Sequence, residues 1–153
     1  MPSSQRAYST LIVFLIVVAS VAALGAYFQP GDWYAELNKP PWTPPNWLFG
    51  PTWTILYVCI AIAGWLIFAE AEQALMKCLW TGQLVLNGIW SWLFFGLHNT
   101  GLALVDIVAL LVCIFLLLRV SYRTFRAITW LLLPYFLWVG YASSLNAVIH
   151  LAN

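Results

Sequence analysis

The residues best equipped for chemistry in this chain are a lone aspartate and a row of amides, all set in apolar surroundings. From Cys78 to Leu118 the only acid or base besides His98 is Asp106. Moving a charged Asp to a bilayer centre costs on the order of 3 kcal/mol even on lenient scales. Asp106 is therefore expected to be neutral or partnered inside the protein. It would then serve as a ligand or proton site, or as a polar pin bonded to a Trp N–H or Tyr hydroxyl of another helix. Upstream, Gln83, Asn87, Trp90, Ser91 and Phe94 recur at helical spacing and so share one face. Their amide and hydroxyl groups are costly in hydrocarbon unless something pairs with them. The sequence offers no Ser–His–Asp set, no paired carboxylates and no cluster with metal-ligand spacing, so it predicts neither hydrolytic chemistry nor a bound metal. Cys59, Cys78 and Cys113 form no CxxC pair and read as small apolar packing residues.

The elements that must position these residues follow from the charge pattern. Of the 153 residues 63% are hydrophobic and 7% charged, against roughly 25% charged in soluble domains. No charged residue occurs from Ala7 to Gly31, from Pro40 to Ala69 or from Ala127 to Ile149. A bilayer-spanning helix needs about 20 mostly apolar residues. The pattern predicts five, near residues 7–28, 46–69, 74–96, 101–119 and 126–149, with "GLHNTG" breaking the long third run. Short connectors make this one up-and-down bundle and a single domain, 1–153. The first run is longer than the 7–15 apolar residues of a signal peptide, so it is read as a retained span. Arg6, Lys77, Arg119, Arg123 and Arg126 fall on one side of such a bundle and Lys39 alone on the other. By the positive-inside rule the N-terminus of a bacterial inner-membrane protein would be cytoplasmic. A net charge of +1 gives no basic face for nucleic acid.

Aromatic residues punctuate the same elements. Trp80 and Trp130, near helix starts, fit an interfacial belt. Trp53 and Tyr57 stack four apart on the second helix, and Trp138, Tyr141, Ala142 and Leu145 make a stripe on the fifth, with Asn146 beside it. Trp53, Trp90 and Trp138 on or beside these stripes suit the flat walls of a binding cavity, although packing alone is the rival explanation. The connector "WYAELNKPPWTPPNWLF" holds Trp33, Trp42 and Trp47 together with Pro40, Pro41, Pro44 and Pro45. Proline fixes φ and stiffens the segment in advance. It reads either as a lid over the outer mouth of the bundle or as a stiff loop among lipid headgroups.

"WYAELNKPPWTPPNWLFGPTWTILY" resembles the signature of the TspO/translocator protein family, the tryptophan-rich sensory proteins or peripheral benzodiazepine receptors. "GQLVLNGIWSWLFFG", "ALVD" and "PYFLWVGYASSLN" follow in the family's order, over roughly Trp33 to Asn146. The resemblance implies an all-α, five-transmembrane-helix membrane protein, usually a homodimer, that binds porphyrins and other planar hydrophobic molecules under the first loop. By position, the ligand-binding residues would be Tyr34, Pro44, Trp53, Tyr57, Asn87, Trp90, Ser91, Trp138, Ala142 and Leu145. Protoporphyrin IX or heme is the implied ligand, and no cofactor is required. The localisation implied is an integral, multi-pass one, in a bacterial membrane rather than the mitochondrial outer membrane, with membrane lipid as a further partner. Animal members place Tyr and Arg in a cholesterol-recognition pattern at the end of the last helix. Here "LNAVIHLAN" has neither, which speaks against cholesterol binding by that route; a loose match at Val120, Tyr122 and Arg126 is only a hypothesis-grade pattern.

Two functions follow. The first is a receptor or carrier for a planar ligand, with Asn87 and connector backbone groups orienting propionates. The second, an enzyme, would degrade porphyrin in light, with Trp53 and Trp138 as its catalytic residues; the resemblance favours binding over catalysis. Repeats and broken helices of secondary transporters are absent from the sequence, leaving at most passive shuttling. Ala19, Ala22, Ala23 and Ala26, with Gly82 and Gly88, would permit close helix contact, between copies among other uses.

Overall fold

The computed structural model describes the backbone of residues 4–153 and the side chains from residue 10 onward. The helices are α1 (Ser4–Tyr27), α2 (Asp32–Glu36), α3 (Asn46–Glu70), α4 (Ala74–Ser91), α5 (Thr100–Ser121) and α6 (Arg126–Ala152); a π turn, Trp92–Gly96, extends α4. Among the described residues there is no strand. The Arg6 side chain, used above for sidedness, and the first three residues of the expected domain lie outside what is described.

Long apolar runs without interior charge become helices because a helix satisfies every backbone N–H and C=O within its own segment. Thr10–Tyr27, Asn46–Glu70, Thr100–Ser121 and Arg126–Ala152 are long and apolar enough to cross a membrane. The sequence predicts five such segments; α4 does not qualify alone, since Lys77, Gln83, Asn87 and Ser91 lower its hydropathy. Proline interrupts neither α3 at Pro51 nor α6 at Pro134.

The long helices close into a ring. α1 packs on α3 and α4, α3 on α6, α6 on α5, and α5 on α4. In one half of the ring the interior is filled by Ile60 and Ile67 from α3, Met76 and Trp80 from α4, Ile114 and Leu117 from α5, and Ile128 from α6. Trp80 lies in a notch at Gly64, where a Cβ would overlap its six-membered ring. Its Nε1 donates to the Ile60 carbonyl at 3.0 Å. The interfacial-anchor reading therefore fails for Trp80, which is 4% exposed, whereas Trp130 is 68% exposed. What turns Trp80 inward is the absent side chain at residue 64, on a different helix.

Glycine also brings α1 and α4 together. A Cβ at Gly88 would stand 3.4 Å from Val21 Cγ1, and one at Gly25 would stand 3.4 Å from Ser91 Oγ. Gly82 faces Cys113 of α5. These glycines thus serve contacts inside one copy of the chain.

Candidate functional site

Towards the connector end the ring encloses a cavity of about 680 Å³, within the ~300–1,000 Å³ of small-molecule sites. α3 supplies Phe49, Trp53 and Tyr57; α4 supplies Asn87, Trp90 and Ser91; α6 supplies Trp138, Val139 and Ala142. α1 contributes Ala22, Gly25 and Ala26, and Ile107 and Leu110 of α5 close the back.

The aromatic walls are held by one another. Trp53 stacks on Tyr57 with centroids 5.2 Å apart and planes at 30°, and its edge meets Tyr135 at 6.2 Å. Trp90 stacks on Phe94 at 5.1 Å, while Phe49 meets Trp138 edge-on at 6.0 Å. Polar bonds fix the same rings. Tyr57 donates its hydroxyl proton to Asn87 Oδ1 at 2.8 Å, and Asn87 Nδ2 donates to the Tyr135 hydroxyl at 3.0 Å. Trp90 Nε1 donates to Asn146 Oδ1 at 3.1 Å, and Asn146 Nδ2 donates to the Thr100 carbonyl at 2.9 Å. Each amide thus ties together three helices, a use of polar side chains suited to apolar surroundings. The Trp138 Nε1, in contrast, is buried with no hydrogen-bond partner among the described residues.

The connector folds back over this end. Tyr34, 6% exposed, sits 6.2 Å from Phe94 and 5.5 Å from Phe95, both in the π turn. Burial raises its phenol pKa, and the nearby Tyr141 adds to the rise. Trp33 lies flat on His98 at 4.1 Å and 8°; His98 adopts φ 52°, a left-handed turn between the π turn and α5. Lys39 Nζ donates to the carbonyls of Tyr34, Ala35 and Leu37. The Asn38 N–H donates to Asn153 Oδ1 at 2.9 Å, and Asn153 Nδ2 returns a bond to the Asn38 carbonyl at 3.2 Å. The Tyr141 hydroxyl donates to the Trp42 carbonyl at 2.6 Å.

With that geometry in view, comparison with known proteins places the chain. Residues 12–152 match the model of the TspO/MBR family. The chain belongs to that family. A tryptophan-rich protein TspO of Archaeoglobus fulgidus is 40% identical over 94% of this chain and 96% of its own length. Protein CrtK of Rhodobacter capsulatus is 34% identical over 88% and 86%. A translocator protein of Bos taurus is 36% identical over 80% and 78%.

In this TspO/MBR chain, Trp53, Tyr57, Asn87, Trp90, Ser91, Trp138 and Ala142 face one cavity. Three other expected residues do not line it. Tyr34 is turned by the short α2 onto the π-turn phenylalanines. Pro44 lies on an outer groove with Leu48, Pro134, Leu137 and Tyr141, separated from the cavity by Trp138, which borders both. Leu145 is buried in the packing one turn beyond Ala142. The expected Asp106 pin is also missing, since Asp106 is 8% exposed and its Oδ2 is buried without a partner among the described residues. The Tyr135 hydroxyl, an available candidate, is bonded by Asn87 instead. No metal-holding cluster of His, Cys, Asp and Glu occurs among the described residues. Sequence reasoning missed the α1 wall: Ala22, Gly25 and Ala26 recur at helical spacing, but a stripe of small residues reads equally as a helix-packing face.

Proposed function

We propose that the protein is a multi-pass membrane protein, with α4 and its π turn as a fifth span, that binds a planar hydrophobic ligand in the cavity, a tetrapyrrole such as protoporphyrin IX first among them. One observation carries this reading: Trp53, Trp90 and Trp138 come from three helices to wall a single apolar hollow, in a bundle whose connector is pinned by Asn153 and Tyr141. Flat indole faces offer stacking area to a flat ring. α4 can cross a bilayer despite its polar stripe because Gln83 and Asn87 are buried inside the ring. The family's homodimer belongs to the same reading, tested by the mass of the detergent-solubilised particle. Titration with protoporphyrin IX should quench tryptophan fluorescence saturably, and Trp138→Ala should weaken binding about tenfold, one aromatic contact's worth. Quenching that never saturates would contradict the proposal.

A second reading, photochemical degradation of the bound ring, is favoured by two indoles lining the cavity from neighbouring helices, Trp53 of α3 and Trp138 of α6. An excited porphyrin could take an electron from either. Illuminating the complex in air should bleach it faster in the wild type than in a Trp53→Phe, Trp138→Phe double variant. Equal rates would leave binding as the whole function.

A further inference from the structure

The cavity is polar in places but carries no charge. Its polar lining consists of Gln29, Asn46, Thr54, Tyr57, Asn87 and Ser91, besides the indoles, and no Asp, Glu, Lys, Arg or His lines it among the described residues. The basic groups near its connector end are already engaged. Lys39 Nζ is committed to three carbonyls, at 2.6, 3.0 and 3.2 Å, and lies 4.8 Å from the Tyr34 ring centre. His98 is stacked under Trp33, and His150 Nδ1 pairs with Thr100 Oγ1. Asp32 and Glu36 of α2 outweigh Lys39 in the connector. Nor does Asn87 offer a ready anchor for propionates, because its Oδ1 and Nδ2 already bond Tyr57 and Tyr135.

A carboxylate drawn into such a site would lose its water and gain no counter-ion, a cost that stacking does not offset. Among the described residues one buried side-chain N–H lacks an acceptor, Trp138 Nε1, and it is an uncharged donor closed off from solvent, so it supplies no counter-charge to a carboxylate. We propose that the cavity recognises the uncharged ring of its ligand and ignores its acid groups. Neutral planar molecules are enclosed whole. An acid-bearing ring enters with its ionised carboxylates left at the water-facing end, beside the exposed Gln29 and Asn46. This rests on the tetrapyrrole reading above.

The test compares protoporphyrin IX with its dimethyl ester by tryptophan quenching in detergent. The ester should bind as tightly as the free acid or tighter, and the acid's affinity should not move between about 0.05 and 0.5 M NaCl, where exposed ion pairs are screened. Lys39→Gln should leave the acid-to-ester ratio unchanged; because both ligands meet the same variant, any loss of folding cancels. Binding of the acid about tenfold to a hundredfold tighter than the ester, the span of hydrogen bonds to charged groups, would overturn the inference. So would a preference for the acid that Lys39→Gln removes. Saturable quenching by neither ligand would instead defeat the tetrapyrrole reading and this inference with it.

Discussion

Trp80 and Trp53 are the same residue type on two helices of one ring, α4 and α3, yet they stand in opposite circumstances. Trp80 fills a notch cut for it by Gly64, bonds the Ile60 carbonyl and is 4% exposed. Trp53 lies against Tyr57 and Tyr135 on one side and borders empty space on the other. The difference comes from what faces each ring. Opposite Trp80, residue 64 has no side chain and the indole closes the gap. Around Trp53 the small residues Ala22, Gly25, Ala26 and Ala142 leave room that no ring of the chain itself enters. One half of the molecule is therefore packed for stability, and the other holds a hollow by stacking its aromatic residues on one another and tying them to Asn87 and Asn146.

Substitutions that exchange these circumstances sharpen the contrast. Trp80→Ala should cost about 3–5 kcal/mol, the range for removing a large buried ring, seen as a steep fall in thermal unfolding temperature in detergent. Asn87→Leu should cost about 1–3 kcal/mol, because it leaves the buried Tyr135 hydroxyl unpaired, and it should weaken ligand binding by freeing Tyr57. Trp53→Ala should cost only about 1–2 kcal/mol, since a ring facing a void loses fewer contacts, while ligand affinity drops clearly. Equal unfolding temperatures for Trp80→Ala and Trp53→Ala would erase the distinction between the two halves. Smallest of all, Asn153→Ala should cost about 0.5–1.5 kcal/mol for its lost hydrogen bonds and speed ligand release by loosening the connector at Asn38, as stopped-flow quenching would report.

The sequence carried the helices well and the side-chain directions less well. The predicted segment 46–69 is α3 within a residue, and 126–149 is α6 short by one turn, because charge-free runs bounded by Lys, Arg, Glu and Pro leave little choice. The segment 74–96 divides into α4 and a π turn; "WLFFG" has no distinctive pattern, and the widened turn closes with the Leu97 N–H bonding the Trp92 carbonyl. Polar stripes exposed the walls at Asn87, Trp90 and Ser91, where burying an amide demands a reason. They could not expose the α1 wall, whose Ala and Gly residues have no polar atoms to account for. Trp80 was misjudged because its position along the helix says nothing about Gly64 across the interface. Tyr34 and Pro44 went astray for a similar reason: α2 and the prolines set their directions, and neighbours 60 or more residues away decide what they meet.

Everything depends on the hollow, and filling it puts it to the test. Ala142→Phe places a ring in the space that Trp53, Trp90 and Trp138 surround. The unfolding temperature should stand at or above that of the wild type, and porphyrin affinity should fall about a hundredfold or more, a loss of roughly 3 kcal/mol of binding. A folded Ala142→Phe protein that still quenches with wild-type affinity would contradict it.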